Sequence, residues 1–378
     1  MNINLLILNI AKSTITLKGI MVLILVLINI SILAQNIEKE IQFSKQQILP
    51  FYWFKKKEHT AYFQGNKKKE NYFEGWYFKM VSKNGAAILS VIPGISLPKE
   101  GEKPHAFIQI INGLTAETYY YTFSIEEFYF SKKAFAVRIG DNYFSEKQLI
   151  LNIEKGDSSV NGSVIMTNQI PYAYKKRKPA IMGWYRFVPF MECYHGVVSL
   201  NHQLSGRIIL YNKVHDFSEG KGYIEKDWGT SMPKAWIWLQ SNTFTNINSS
   251  LMLSVADIPW LGKSFTGFLG FFYTNNRVYR FATYANSELN ILPSTDNTLT
   301  IEIQNTKERF VLEIKNGNAG ILKAPVAGSM DRRIAESVDA KLKITMFNED
   351  NEIILIDSSE IAGLEAVGDI RSLITKIK

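Results

Sequence analysis

The stretch from residue 222 to residue 244 places Glu225, Asp227, Trp228, Trp236, Trp238 and Gln240 close together in an otherwise apolar setting. On an extended strand Glu225 and Asp227 share a face, so one carboxyl can raise the pKa of the other. A carboxyl group buried among aromatic rings can stay protonated near neutral pH and act as an acid. The face of a tryptophan attracts a cation, an effect worth roughly 2 kcal/mol or more when the pair is desolvated. These residue types therefore suit a shielded proton donor beside walls that tolerate positive charge. The plainer interpretation is a solvated Glu-Lys-Asp turn and tryptophans that pack a core.

The elements that must position these residues are strands. Trp236, Trp238 and Gln240 fall on one strand face and Ile237 and Leu239 on the other, which predicts a strand buried on both sides. Gly229 and Pro233 turn the chain just before it. From Phe73 to Met166, short β-branched and aromatic runs are bounded by Gly, Asn, Asp or Ser, and a second series runs from Ser250 to Asp357. Asn275-Asn276 reads as a hairpin turn. The spacing predicts an all-β chain of two antiparallel barrel or sandwich domains, residues 73–215 and 216–378, with the hinge near 212–234. Residues 168–191 interrupt the rhythm: Pro171, Pro179 and Pro189 punctuate an aromatic and basic run, read either as a lid or as an irregular cover over a barrel end. Residues 35–72 are a polar lead-in with an aromatic island at 51–54.

Residues 1–34 carry Lys12 and Lys18 and end in an apolar run, Gly19 to Ala34. They read as a cleaved signal or, second, as an uncleaved membrane anchor, which places the protein in a bacterial periplasm or cell envelope. The formal net charge is +8. No nucleic-acid motif accompanies the lysine clusters at 55–57, 67–69 and 175–178, so nucleic acid is not expected. Those clusters suit a solvated surface or, second, anionic lipid headgroups. The single cysteine, Cys193, rules out an internal disulfide and any cysteine-based metal cluster. The five histidines form no close ligand pair, so no metal is expected.

Three motifs, Gly75-Trp76-Tyr77-Phe78, Glu225-Lys226-Asp227-Trp228-Gly229 and Trp236-Ile237-Trp238-Leu239-Gln240, together resemble the tocopherol cyclase family. Pro189-Phe190-Met191-Glu192 and Leu322-Lys323-Ala324-Pro325 add to the resemblance, whose order holds from Phe73 to Gly368. Asp227 departs from the Asn usual in the plant enzymes, and the plant insertions are shorter or missing. The resemblance implies paired lipocalin-like β domains, as in the wider group that includes carotenoid hydratases. It also implies a reaction without metal or redox cofactor: an acid protonates the prenyl double bond of a prenylated hydroquinone, and the neighbouring phenol oxygen captures the tertiary cation to form a chromanol.

For that chemistry Asp227 is the first candidate acid, with Glu225 and Glu192 as rivals. Trp76, Trp228, Trp236 and Trp238 are the candidate cation walls, and Gln240 or His195 would orient the phenol. Exclusion of water decides cyclisation against hydration. Two alternatives stay open: a prenyl-lipid hydratase, and a non-catalytic carrier holding an apolar lipid inside a barrel.

Overall fold

The computed structural model describes residues 52–375, apart from 100, 156–157, 173–179, 190, 261 and 293–296. The signal-or-anchor segment 1–34, the first part of the lead-in, the basic run 175–178 and Phe190 lie outside the described residues. Every described residue belongs to one compact unit, Ile48–Lys378. A short helix, α1 (Tyr52–Glu58), precedes the strands, and α2 (Ile370–Thr375) follows them.

The first sheet holds β1 (Tyr72–Val81), β2 (Ile88–Leu97), β3 (His105–Asn112), β4 (Thr118–Ser124), β5 (Phe128–Phe130), β6 (Ala136–Ile139), β7 (Asn142–Ser145), β8 (Gln148–Lys155), β9 (Ser158–Pro171), β10 (Cys193–Leu210), β11 (Lys213–Asp216) and β12 (Gly220–Gly229). Its order is β4-β3-β2-β1-β12-β10-β9-β8-β7-β6-β5, with β11 on β10. The second holds β13 (Trp236–Ser241), β14 (Ser250–Trp260), β15 (Lys263–Thr274), β16 (Arg277–Ala282), β17 (Glu288–Leu292), β18 (Thr298–Gln304), β19 (Arg309–Lys315), β20 (Ala319–Val326), β21 (Ser329–Phe347) and β22 (Ile353–Val367). Its order is β16-β15-β14-β13-β22-β21-β19-β18-β17, with β20 on β21.

Each sheet curls round its own core. Trp76 on β1 meets Phe128 on β5 at 6.5 Å between ring centroids, although those strands are far apart in the sheet order. Phe281 on β16 likewise meets Phe310 on β19 at 4.8 Å. Side chains fill both interiors: Trp76, Phe78, Phe144 and Ile224 in the first, and Phe272, Phe281, Phe310 and Ile344 in the second. Each such side chain contributes about 1.5–3 kcal/mol by leaving water. A third core lies between the sheets and joins Tyr77, Val197 and Tyr223 to Trp236, Trp238, Phe271 and Val338.

The all-β class with two antiparallel bodies agrees with the sequence pattern. The change of sheet falls between Gly229 and Trp236, so residues 220–229 belong with the first body and not, as the 216 boundary had it, with the second. Several strands run longer than the sequence breaks suggest, β10, β21 and β22 above all. Bulges at Val197–Ser199, Ser199–His202 and Ser337–Ala340 let these strands continue past polar residues that read as ends. Asn275 and Asn276, both with positive φ (50° and 59°), turn β15 into β16.

A buried ion pair ties the lead-in to the first body. Lys226 Nζ lies 2.5 Å from Glu74 Oε1 with both side chains fully buried, and it donates to the carbonyls of Thr60 and Tyr62. Glu74 accepts from the amides of Gln64 and Gly65 and from the Tyr72 hydroxyl. Trp76 and Trp228 flank the ammonium, with centroids at 4.7 and 5.0 Å.

Candidate active site

Strand alternation sorts the residues. In the β1–β12 pair Glu74 faces Trp228 and Trp76 faces Lys226, while Gly75 faces Asp227 and Tyr77 faces Glu225. The even-numbered set points into the first core; the odd-numbered set points the other way, towards the second sheet. β13 does the converse job from the second sheet, with Trp236 and Trp238 facing the first body and Ile237 and Leu239 in the second core. Between these faces lies a cavity of about 190 Å³. Its wall includes Tyr77, His195, Glu225, Asp227, Trp236, Trp238, Glu336 and Glu365, and the rest is mainly apolar, with Met182, Met191, Met232 and Met330.

Of the candidates read from the sequence, Asp227, Glu225, Glu192, His195, Trp236 and Trp238 line this cavity. Trp76 and Trp228 do not. They sit in the first core with their faces already on the Lys226 cation, because they share its strand parity. Gln240 shares a face with Trp238 but lies beyond the cavity, where its side-chain amide donates to Asn242 at 3.4 Å. Gly229 has a backbone role: a Cβ there would come within 2.0 Å of the Glu192 carbonyl oxygen. The missing side chain leaves room for the Glu192 backbone to pass close by, and the Thr230 amide donates to its carbonyl at 2.7 Å.

Asp227, His195 and Glu225 form one connected group. His195 Nδ1 donates to Asp227 Oδ1 at 2.7 Å, and its Nε2 lies 3.4 Å from Glu225 Oε2. The Tyr223 hydroxyl donates to Glu225 at 2.7 Å. Burial works against a charged imidazole, but Asp227 and Glu225 outweigh it and push the His195 pKa up to about 10. At neutral pH the ring is therefore an imidazolium between Asp227 and Glu225. Glu225 is buried, whereas the Asp227 side chain keeps 26% of its surface exposed. These three are the set of ligand-type side chains, among the described residues, whose donor atoms come within 4.8 Å of one another. The two side chains approach opposite ring nitrogens, so one ion could use only one of the two histidine contacts, whereas an imidazolium carries an N–H towards each.

A second carboxyl pair, absent from the sequence-based candidates, completes the wall. Glu336 on β21 and Glu365 on β22 are register partners. The Tyr77 hydroxyl donates to Glu336 Oε1 at 2.6 Å and itself accepts from Ser90 at 2.8 Å; Trp236 Nε1 donates to Glu365. Among the described residues Glu336 Oε2 is buried without a hydrogen-bond partner. Burial raises the Glu336 pKa, the Tyr77 hydrogen bond and Lys79 pull it back, and it stands at about 7. Burial and the neighbouring Glu336 hold Glu365 well above the ordinary carboxylate range. The cavity thus contains a carboxyl pair that retains a proton at neutral pH, and the network joins its two members to Tyr77 and Trp236. The sequence signal for Glu336 is a charged residue at the apolar parity of β21, in line with Ile334, Val338 and Ala340.

The sequence profile of the family described as "Tocopherol cyclase-like" matches residues 165–368, more than half of the chain. That span contains every cavity residue named above except Tyr77, which lies on β1. "Tocopherol cyclase, chloroplastic" of Zea mays is 27% identical over 82 residues, 22% of this chain and 17% of the maize protein. "Probable tocopherol cyclase, chloroplastic" of Oryza sativa subsp. japonica is 26% identical over 80 residues, 21% and 17% of the two chains. The matched stretches therefore span under a fifth of either plant protein. Among solved structures, CghA with Sch210972 superposes with a TM-score of 0.49 at 8% identity, covering 79% of this chain and 89% of that one. Kievitone hydratase from Nectria haematococca superposes with a TM-score of 0.47 at 10% identity, covering 78% and 89%. With its profile match running from β9 to the end of β22, this chain belongs to the tocopherol cyclase-like family.

Proposed function

We propose that the protein is an acid-initiated cyclase that closes a prenylated hydroquinone to a chromanol in the cavity between the two sheets. The observation that carries this is the Glu336–Glu365 pair: two carboxyls at an apolar cavity wall beside Trp236 and Trp238, with Glu365 held well above the ordinary carboxylate range and Glu336 raised to about 7. Asp227 and Glu225, the acids first favoured, are committed to the His195 imidazolium. They suit the opposite task of accepting a proton.

In the proposed step the carboxyl O–H of the pair breaks and a C–H bond forms at the less substituted alkene carbon, which leaves a tertiary cation. The phenol oxygen then bonds to the cationic carbon. Its proton passes to the Asp227–His195–Glu225 group, whose partly exposed Asp227 exchanges with solvent, and the donor pair is reprotonated. Atoms and electrons balance as an isomerisation. Trp238 supplies the open aromatic face, since the Arg332 guanidinium already lies 4.8 Å from the Trp236 ring. The buried Trp238 Nε1–H, which has no partner among the described residues, is free to donate to a substrate oxygen. The apolar remainder of the wall suits a prenyl tail and keeps water from the cation.

The exposure of Asp227 favours the hydratase as a second reading, in which water at that end captures the same cation. A carrier holding its lipid inside a barrel has less support, because side chains fill both interiors. Purified protein incubated with a panel of prenylated hydroquinones tests the three. Cyclisation gives a less polar product of unchanged mass, hydration adds one water, and a carrier binds without conversion.

A further inference from the structure

Four exposed aromatic side chains sit on two joined elements, one of which borders the cavity through Met182 and Tyr185. Trp53 and Phe54 on α1 are 49% and 56% exposed, and Trp184 and Phe187 on the one-turn 3-10 helix Gly183–Phe187 are each 55% exposed. The two elements are joined. Arg186 donates to the Lys56 carbonyl at 2.7 Å, and Lys57 Nζ lies 3.5 Å from the Trp53 ring and 5.9 Å from that of Phe187. Trp184 stacks at 4.1 Å on Tyr185, which lines the cavity. On the other wall the β14–β15 hairpin ends in Trp260, 41% exposed and register partner of Lys263, while Ile258, Pro259 and Phe265 below it line the cavity. Tyr284, also in the wall, meets Tyr185 at 5.9 Å, so these aromatics rim the same cavity from both bodies.

The charge around this rim is mainly positive. Lys55, Lys67, Lys68 and Lys263 are exposed and Lys57 is half-buried, against Glu58 and Glu70 among the exposed acids of the same segment. Lys56 is electrostatically close to Lys67, Lys68 and Lys57, so the cations are clustered and not merely adjacent in sequence. Solvent-facing tryptophan and phenylalanine among lysines match the headgroup–acyl boundary of a bilayer, where an indole or phenyl ring enters the apolar side and an ammonium stays at the phosphates. Clustered lysines beside exposed aromatic rings favour an anionic lipid surface.

We infer that this aromatic and basic rim is a docking surface for a membrane bearing anionic headgroups, set so that the cavity opens towards the bilayer. A lipid with a prenyl tail can then enter without crossing water. The inference goes beyond the proposed reaction: it stands whether the cavity cyclises, hydrates or carries.

Co-sedimentation of the full chain with phosphatidylcholine vesicles, with and without phosphatidylserine, tests it. Wild-type protein is expected to bind the anionic vesicles and to release as salt rises. The Trp184→Ser/Phe187→Ser/Trp260→Ser variant is expected to lose about tenfold or more in partitioning, and Lys55→Glu/Lys57→Glu to lose the preference for phosphatidylserine. Circular dichroism and melting of each variant check the fold. Equal binding by wild type and the triple variant overturns the inference, and so does no wild-type binding to either vesicle. A wild-type dimer that the triple variant dissociates also overturns it, by making the rim a contact for a second copy. Conversion of a short-tailed, water-soluble hydroquinone should not change in the triple variant. Rim-dependent vesicle binding without any conversion would leave the docking surface standing while the cyclase proposal fell.

Discussion

Glu336→Gln separates a proton donor from a merely buried acid. Gln can still accept the Tyr77 hydrogen bond and fills the same space, so the fold is expected to survive. The substitution removes an ionisable group whose pKa rises from 4.5 to about 7 on folding. A carboxyl raised in the folded state stabilises fully below its unfolded pKa and loses that contribution as pH climbs through the folded value. The wild type should therefore weaken relative to the variant by about 2–3 kcal/mol between about pH 5 and about pH 8. Urea melts of both proteins across that range measure it. Turnover of a prenylated hydroquinone should fall by about 10²–10⁴-fold, the usual share of a general acid. The wild-type rate should also fall as pH rises through about 7, where Glu336 gives up its proton. A stability difference that does not change with pH would refute the raised pKa. Undiminished turnover in Glu336→Gln and in Glu365→Gln alike would refute the assignment of the donor.

Three further outcomes follow from the same geometry. His195, raised from 6.5 to about 10, contributes stability that is whole below pH 6.5 and lost as pH rises through 10; the gap between wild type and His195→Gln in urea melts should be widest at the acidic end and close towards the alkaline one. Trp238→Leu should lower turnover by about 30-fold, the rate equivalent of one desolvated cation–π contact, whereas Trp228→Phe should lower melting temperature and leave turnover per folded molecule unchanged. Glu74→Ala strands the Lys226 cation in the first core and should cost about 3–5 kcal/mol in chemical denaturation, with the vacated space on the far side of β1 from the cavity.

The fold class is legible in the strand periodicity and the turn residues alone. The same alternation rule placed Glu225 with Asp227 and Trp236 with Trp238, and the structure keeps both pairs on the cavity side. Applied one residue further, it would have moved Trp228 and Trp76 to the opposite face, where they surround Lys226. Glu336 and Glu365 were harder to find. Their neighbours Ser337 and Leu364 give no motif, and the two residues are brought together only by the β21–β22 register. Nor does sequence spacing show that the barrels fill with their own side chains. That leaves the room for a ligand between the sheets, where the two bodies supply different walls.

The most direct measurement is the isotope content of the product formed in heavy water. Protein and a prenylated hydroquinone are incubated in D2O, the product is back-exchanged into ordinary water, and its mass and proton spectrum are recorded. Proton transfer from an enzyme acid to the alkene predicts a chromanol carrying one non-exchangeable deuterium, at the ring carbon that was the alkene CH, and no added oxygen. A chromanol without deuterium at that carbon, or a product that has gained the elements of water, would contradict acid-initiated cyclisation.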